Sequence, residues 1–258
     1  MKTFGNKFRV SVFGESHADV VGVLLDGVPA GLSLTVEDFK SDLDRRRADV
    51  KGTTPRREED VPTILSGVLE GYTTGAPVAI TFANLEAHSE DYAAVMDCPR
   101  PGHADFAASR KFWDFNDLRG GGHFSGRMTL ALVAAGVVAK KIADFSYAAR
   151  LVEVGGQSDS TSWDAAISAA QKEGDSLGGV VECVVGGVPV GLGEPFFDSV
   201  EAVISHLVFS IPGVRGIEFG DGFKASSMKG SQHNDPIMDA EGHTANNGAG
   251  GVNGGLSN

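Results

Sequence analysis

Residues 117–142 read DLRGGGHFSGRMTLALVAAGVVAKKI. The part from Thr129 onward is apolar up to Lys140 and Lys141, too short and too rich in Ala and Gly to span a bilayer. It predicts a buried helix from about 127 to 145, with Ser125 placed to cap it at an N-terminus whose dipole favours negative charge. The three glycines before it allow successive N–H groups to converge as a concave anion-binding nest. Arg119, His123 and Arg127 surround them, which makes a phosphate or flavin cradle a better reading than a plain turn. The spacing is not that of a Walker loop, and no GxGxxG follows a strand.

Outward from this helix the chain alternates between strand-like and helical runs. KFRVSVF (7–13) alternates like a strand, and VGVLLDGVPAGLSL (21–34) resembles a hairpin turning at Gly27 and Pro29. Thr35 caps VEDFKSDLDRRR, acidic in its first turn and basic in its last. VPTILSGVLEG and APVAITFANL return to strand patterns. Residues 86–128 have little periodicity. AARLVEVGG and GGVVECVVGGVPVG flank the helical TSWDAAISAAQKEG, residues 198–209 read as a helix, and GVRGIEFGDGF reads as a strand ending in a glycine turn. After Ala225 the pattern stops, and a flexible tail is expected. Strands mixed with helices without regular βαβ alternation predict an α+β fold, and no linker divides residues 1–258 into two domains.

The charge balance narrows the function classes. A net charge of −12 argues against nucleic-acid or membrane-surface partners. Yet basic residues are bunched at 45–47, at 56–57, and at Arg100, Arg119 and Arg127 near glycine turns. A basic site inside an acidic shell suits a small, multiply anionic ligand. Cys98 and Cys183 have no metal or redox spacing and the N-terminus carries no apolar signal region, which predicts a reduced, cytoplasmic protein.

Two further stretches carry chemistry. GESHAD (14–19) sets Ser16 and His17 in the turn after a strand. Neighbouring side chains diverge, so the pair is not in itself a nucleophile and base. His17 offers a proton that titrates near neutrality, or is simply held by backbone groups in the turn. RPGHAD (100–105) brings Arg100, a planar fork for carboxylate or phosphate, to the same side of a Pro-Gly turn as His103. His103 and Asp105 also read as metal ligands, but a third at a recognisable spacing is lacking, so no metal is expected.

GESHAD, LDRRR, TTPRRE, SGVLEGYTTGAPVAI, RPGHAD, RGGGHFSGRMT, AAGVVAKK, EGDSLGG, GVPVGLGEPFFDS, GIEFGDGF and GGLSN follow one another as they do in chorismate synthases, and the resemblance runs from about residue 5 to the last residue. It implies a β-α-β sandwich, a homotetramer, and a lyase of the shikimate pathway of aromatic amino acid biosynthesis. Such enzymes perform a 1,4-anti elimination of phosphate from 5-enolpyruvylshikimate 3-phosphate to give chorismate. They require reduced FMN, with NADPH as reductant in members that reduce their own flavin. By this resemblance His17 protonates the departing phosphate and His103 manages the flavin's charge, with Ser16 and Ser125 in support. Arg46, Arg100 and Arg127 clamp the substrate. Arg46 and Lys51 fall where the nicotinamide nucleotide binds, and His123, Phe124, Ser125, Pro212 and Gly213 fall in FMN-contacting segments. The chain departs from common family residues at Lys51, at His123 (both often Arg) and at Pro212-Gly213 (often Asn-Ala). Ending at GGLSN, it is expected to lack a C-terminal part that supplies a Lys-Pro-Thr flavin-phosphate segment and a catalytic aspartate. The alternatives are a catalytically incomplete fragment, a phosphate- or nucleotide-binding module without turnover, and a metal-dependent hydrolase using His17, His103 and Asp105.

Overall fold

A computed structural model describes residues 3–47, 59–85 and 98–258. Two compact units emerge, Met1–Val184 and Val185–Asn258, and the boundary falls inside a strand rather than in a linker.

In the first unit the strands are β1 (Thr3–Phe4), β2 (Arg9–Gly14), β3 (Val20–Asp26), β4 (Thr63–Ser66), β5 (Val68–Leu69), β6 (Tyr72–Thr73) and β7 (Val78–Ala83). Five of them form an antiparallel sheet in the order β1-β2-β3-β7-β4. The hairpin differs from the one expected. β3 pairs back onto β2, with Val10 opposite Leu25 and Gly14 opposite Val21, so the connecting turn is the GESHAD stretch. Residues 27–34 instead run out towards β6, where Leu34 and Gly31 donate N–H bonds to the carbonyls of Gly71 and Thr73. The run 21–34 is too rich in Gly and Pro after Asp26 to hold a second ladder.

The period-2 pattern of β3 and β7 sends Val21, Val23, Leu25, Val78, Ile80 and Phe82 to one face, all fully buried. Against that face lies the helix read from the opening stretch, α3 (Thr129–Ile142), through Leu130, Ala131, Ala134 and Val138. Its alanines bring the helix close to the sheet, and each large side chain so buried contributes about 1.5–3 kcal/mol. A short 3-10 turn at Val36–Phe39 leads into α1 (Lys40–Arg46), started by Thr35 and Asp38 as a capping box and anchored by Phe39 and Leu43. A helix not read from the sequence, α2 (Asp105–Phe112), follows the RPGH turn. Its exposed aromatics and mixed polarity give it a weak periodic signal. The unit also holds β8 (Ser146–Val154), α4 (Trp163–Glu173) and β9 (Gly179–Gly186), with β8 paired to β9.

The second unit contains α5 (Val200–Val208), α6 (Gly230–His233) and a small hairpin of β10 (Val252–Asn253) and β11 (Leu256–Ser257). Two expectations fail here. GVRGIEFGDGF forms no strand, and the polar stretch after Ala225 is tied down rather than loose. The Asp235 carboxylate accepts N–H bonds from Asn246 and Gly248, and the buried Ser257 hydroxyl donates to Pro189 O and accepts from Leu192 N–H. Hydrogen bonds to backbone groups have no hydropathy signature, so sequence periodicity does not reveal them.

Candidate functional site

The site is assembled on the backbone of the glycine triplet. Gly120, Gly121 and Gly122 all have positive φ (57°, 84° and 54°), the region that favours glycine. A methyl group on Gly120 would lie 2.5 Å from Cδ2 and Nε2 of His17 and 2.7 Å from Ser16 Oγ. On Gly121 it would lie 3.0 Å from His103 Nε2 and 3.7 Å from Ser125 Cβ. On Gly122 it would strike the Asp117 carbonyl oxygen at 1.9 Å. The ribbon therefore has Ser16 and His17 against one residue and His103 and Ser125 against the next. This corrects the expected nest, because Gly121 donates its N–H to Leu118 O, and the glycines make room for histidine rings.

Each neighbour is held by its own bonds. Ser16 donates its N–H to Gly122 O at 3.1 Å, and His123 donates through Nδ1 to Gly14 O at 2.9 Å, so the triplet is fastened to the GESHAD turn at two points. Ser16 is only 1% exposed and its hydroxyl has no hydrogen-bond partner among the described residues, a cost of about 1–3 kcal/mol unless something else meets it. Ser125 accepts the Arg127 N–H, fulfilling its expected capping role at the short 3-10 turn that leads into α3. The Phe124 ring is partly exposed and tilts against Phe112.

His103 is oriented by a residue the sequence reading weighed only as a metal ligand. The Asp105 carboxylate, 2% exposed at the start of α2, accepts Arg100 Nε and Nη2 at 2.8 Å each and lies 2.7 Å from His103 Nδ1. Arg100 Nη2 is farther from Nδ1, at 3.2 Å. The Arg100 hydrogen bonds hold the Asp105 carboxyl well below the usual carboxylate range, against the opposing effect of burial. It is thus an acceptor only, so Nδ1 of His103 donates to it and Nε2 is turned towards Gly121. With its carboxylate spent on Arg100 and His103, Asp105 has no lone pair aimed at a metal shared with His17. Among the described residues no group of three or more His, Cys, Asp or Glu side chains is arranged to hold a metal ion.

The remaining arginines meet at a residue absent from the sequence reading, Asp60. Its Oδ1 accepts Arg127 Nη1 at 2.8 Å and its Oδ2 accepts Arg46 Nη1 at 3.0 Å. Arg127 is buried, and also donates to Asn84 Oδ1 at 2.5 Å and to Ala83 O at 3.1 Å. Arg46 donates to Thr129 Oγ1 and Gly126 O. Asn84, also missed, completes the wiring. Its amide donates to the carbonyls of Glu15 and Ala18, bracing the turn that carries Ser16 and His17. No local signal marks Asp60 or Asn84, since their partners lie 14 to 69 residues away in sequence. Lys51 lies outside the described residues. Pro212 and Gly213 lie in the second unit, in the turn that follows α5, with Gly213 at φ 89°.

The fold and this constellation define an α+β protein with two positioned imidazoles and a set of paired guanidiniums, groups chemically able to move a proton and to bind an anion. The family model described as chorismate synthase matches residues 8–258. A chorismate synthase of Chitinophaga pinensis is 59% identical over 260 residues, covering the whole of this chain and 77% of that protein. One of Dehalococcoides mccartyi is 42% identical, covering 99% of this chain and 78% of the relative. A crystal structure of chorismate synthase superposes with a TM-score of 0.80 at 28% identity, over 98% of this chain and 81% of that one. The chain belongs to the chorismate synthase family and has its α+β fold.

Proposed function

We propose that this protein eliminates phosphate from 5-enolpyruvylshikimate 3-phosphate to give chorismate, as a carbon–oxygen lyase. The observation that carries the reading is the pair of histidines set against adjacent glycines, with carboxylate-held guanidiniums nearby. Two carboxylates and a phosphate call for several cations, and Arg46 and Arg100 supply them with part of each side chain still exposed. Arg127, expected as a third clamp, is buried among protein acceptors. We assign it to bracing Asp60 and Asn84.

His17, half-buried at the turn, delivers the proton that lets phosphate leave as a better leaving group. His103, with Nδ1 fixed on Asp105, keeps Nε2 for hydrogen bonding across the glycine ribbon. The residues fit reduced FMN on one count that the structure supplies: among the described residues the buried Ser16 hydroxyl has no partner beside an imidazole, and the partly exposed Phe124 ring stands just after the glycine triplet. Ser16, His103, His123, Phe124 and Ser125 of the first unit would hold it, and Arg46 and Lys51 would serve NADPH. When bound, reduced flavin supplies electron density to the elimination without net redox change.

We place the enzyme in the cytoplasm, working as one domain over 1–258 and as a homotetramer. Exposed apolar side chains on β8 and β9, among them Tyr147, Leu151, Val181 and Val184, support assembly. Among the described residues no helix is long and apolar enough to cross a membrane.

The test is anaerobic turnover of 5-enolpyruvylshikimate 3-phosphate with photoreduced FMN. His17→Ala and His103→Ala should each lower kcat by ~100-fold or more, the scale of lost acid–base catalysis. Losses of tenfold or less at both would leave these histidines as structural groups of their turns. Ligand binding without any chorismate formed by the unmutated chain would point to a binding module or an incomplete fragment.

A further inference from the structure

We infer that Gly120 and Gly121 are positioning residues: each sets one imidazole, Gly120 that of His17 and Gly121 that of His103, while Gly122 serves the fold. The inference rests on the proposed roles of the two histidines but has a readout of its own.

The three glycines share a sign of φ and differ in what a side chain would meet. At Gly122 the obstacle is backbone, the Asp117 carbonyl oxygen at 1.9 Å, so a methyl group there displaces the chain itself. At Gly120 the obstacles are side-chain atoms: the His17 ring at 2.5 Å and the Ser16 hydroxyl at 2.7 Å. At Gly121 they are the His103 ring at 3.0 and 3.2 Å and, more loosely, Ser125. A ring at the end of a side chain escapes by rotating about χ1 and χ2, which costs little stability and ruins its aim. The closer contact at Gly120 makes His17 the more displaced of the two. Adjacent residues thus hold two different rings, and their Cα atoms stand one peptide step, about 3.8 Å, apart. The missing Cβ atoms are what let both rings reach the same ribbon.

Gly31 provides the control. It has φ 83° and nothing within 4 Å of an added methyl, so Gly31→Ala carries the left-handed backbone strain without touching a ring. The experiment combines thermal unfolding with NMR of histidine-labelled protein, resonances being assigned from His17→Ala and His103→Ala. Gly120→Ala and Gly121→Ala should each lower Tm by no more than a few degrees beyond Gly31→Ala. Gly120→Ala should shift the ring signals of His17 and leave those of His103 in place, and Gly121→Ala should do the reverse. A ring misplaced by about 1 Å should lower turnover by ~100-fold. Unmoved ring signals in both variants, or both rings moving together in either, would overturn the inference. Should Gly120→Ala fail to fold, Gly120→Ala combined with His17→Ala recovers folding if the ring is the obstacle. If the double variant stays unfolded, the inference is wrong. Rings that move as expected with turnover unchanged would refute the catalytic reading and leave the positioning inference standing.

Discussion

Replacing Asp60 by alanine tests the arginine network at its centre. The Asp60 and Arg127 side chains are 4% and 5% exposed, so the alanine removes from a buried guanidinium the carboxylate that accepts its Nη1. Breaking such a pair from one side costs about 3–5 kcal/mol. Arg46, 22% exposed, is better hydrated, and its share of the loss is at most about 1 kcal/mol. The cost therefore belongs almost wholly to Arg127 and should vanish with it. In an Arg127→Met background, where an aliphatic chain fills the same channel, Asp60→Ala should cost only about 1 kcal/mol. The coupling in the double-mutant cycle is then about 2–4 kcal/mol.

The assay is thermal and urea unfolding of the four proteins. Asp60→Ala alone should lower Tm by ~6–20 °C, at 2–4 °C per kcal/mol for a chain of this size. A coupling below about 0.5 kcal/mol would show that Asp60 and Arg127 act independently, and would refute the account of a buried pair.

Asp105→Asn should reverse the tautomer of His103, because the new amide can donate to Nδ1, and kcat should fall ~100-fold with a smaller change in KM; an unchanged kcat would remove Asp105 from the account. Its carboxyl is held below the unfolded value of 3.8, so its contribution to stability is complete above that pH and is lost as the pH falls through the folded value. Acid titration of the unmutated protein should show a loss of stability below pH 3.8 that is weaker in Asp105→Asn. Gly136→Ala, in α3 with nothing within 4 Å of the added methyl, should raise stability by about 0.5–1 kcal/mol, read from the urea midpoint.

The buried helix, the strand patterns and the capped α1 were legible because each is written in local periodicity. Thr35, Asp38 and the run 129–142 needed no distant partner to be read. The sequence puts the hairpin at Gly27 and Pro29, where turn residues are plentiful; it lies instead at GESHAD, whose turn is held by Asn84, just beyond the end of β7. The site divides in the same way. His17, His103 and Ser125 stand out as residue types within compact motifs. Asp60 and Asn84 do not, since a carboxylate or an amide is informative only once its partners are known. The triplet was legible as unusual backbone, but its reason was not. What forbids side chains at Gly120 and Gly121 is the arrival of residues 16 and 17 from one turn and 103 from another, and at Gly122 it is the Asp117 carbonyl.

An arginine that grips an exchangeable anion has to keep part of its guanidinium within reach of solvent, whereas one that braces a fold does best when every donor meets protein. The three arginines of the site fall along that line. Arg127 is 5% exposed and donates to Asp60, Asn84 and Ala83; Arg46 is 22% exposed and shares Asp60; Arg100 is 33% exposed and shares Asp105 with His103. Each carboxylate fixes the direction of the cations it accepts, and burial strengthens those interactions, inside a chain whose net charge is −12. A multiply anionic ligand would be repelled by that exterior at long range, an effect screened over about 8 Å at physiological salt. Discrimination then rests on the interior cations, and the carboxylates that hold them are as much a part of the site as the arginines themselves.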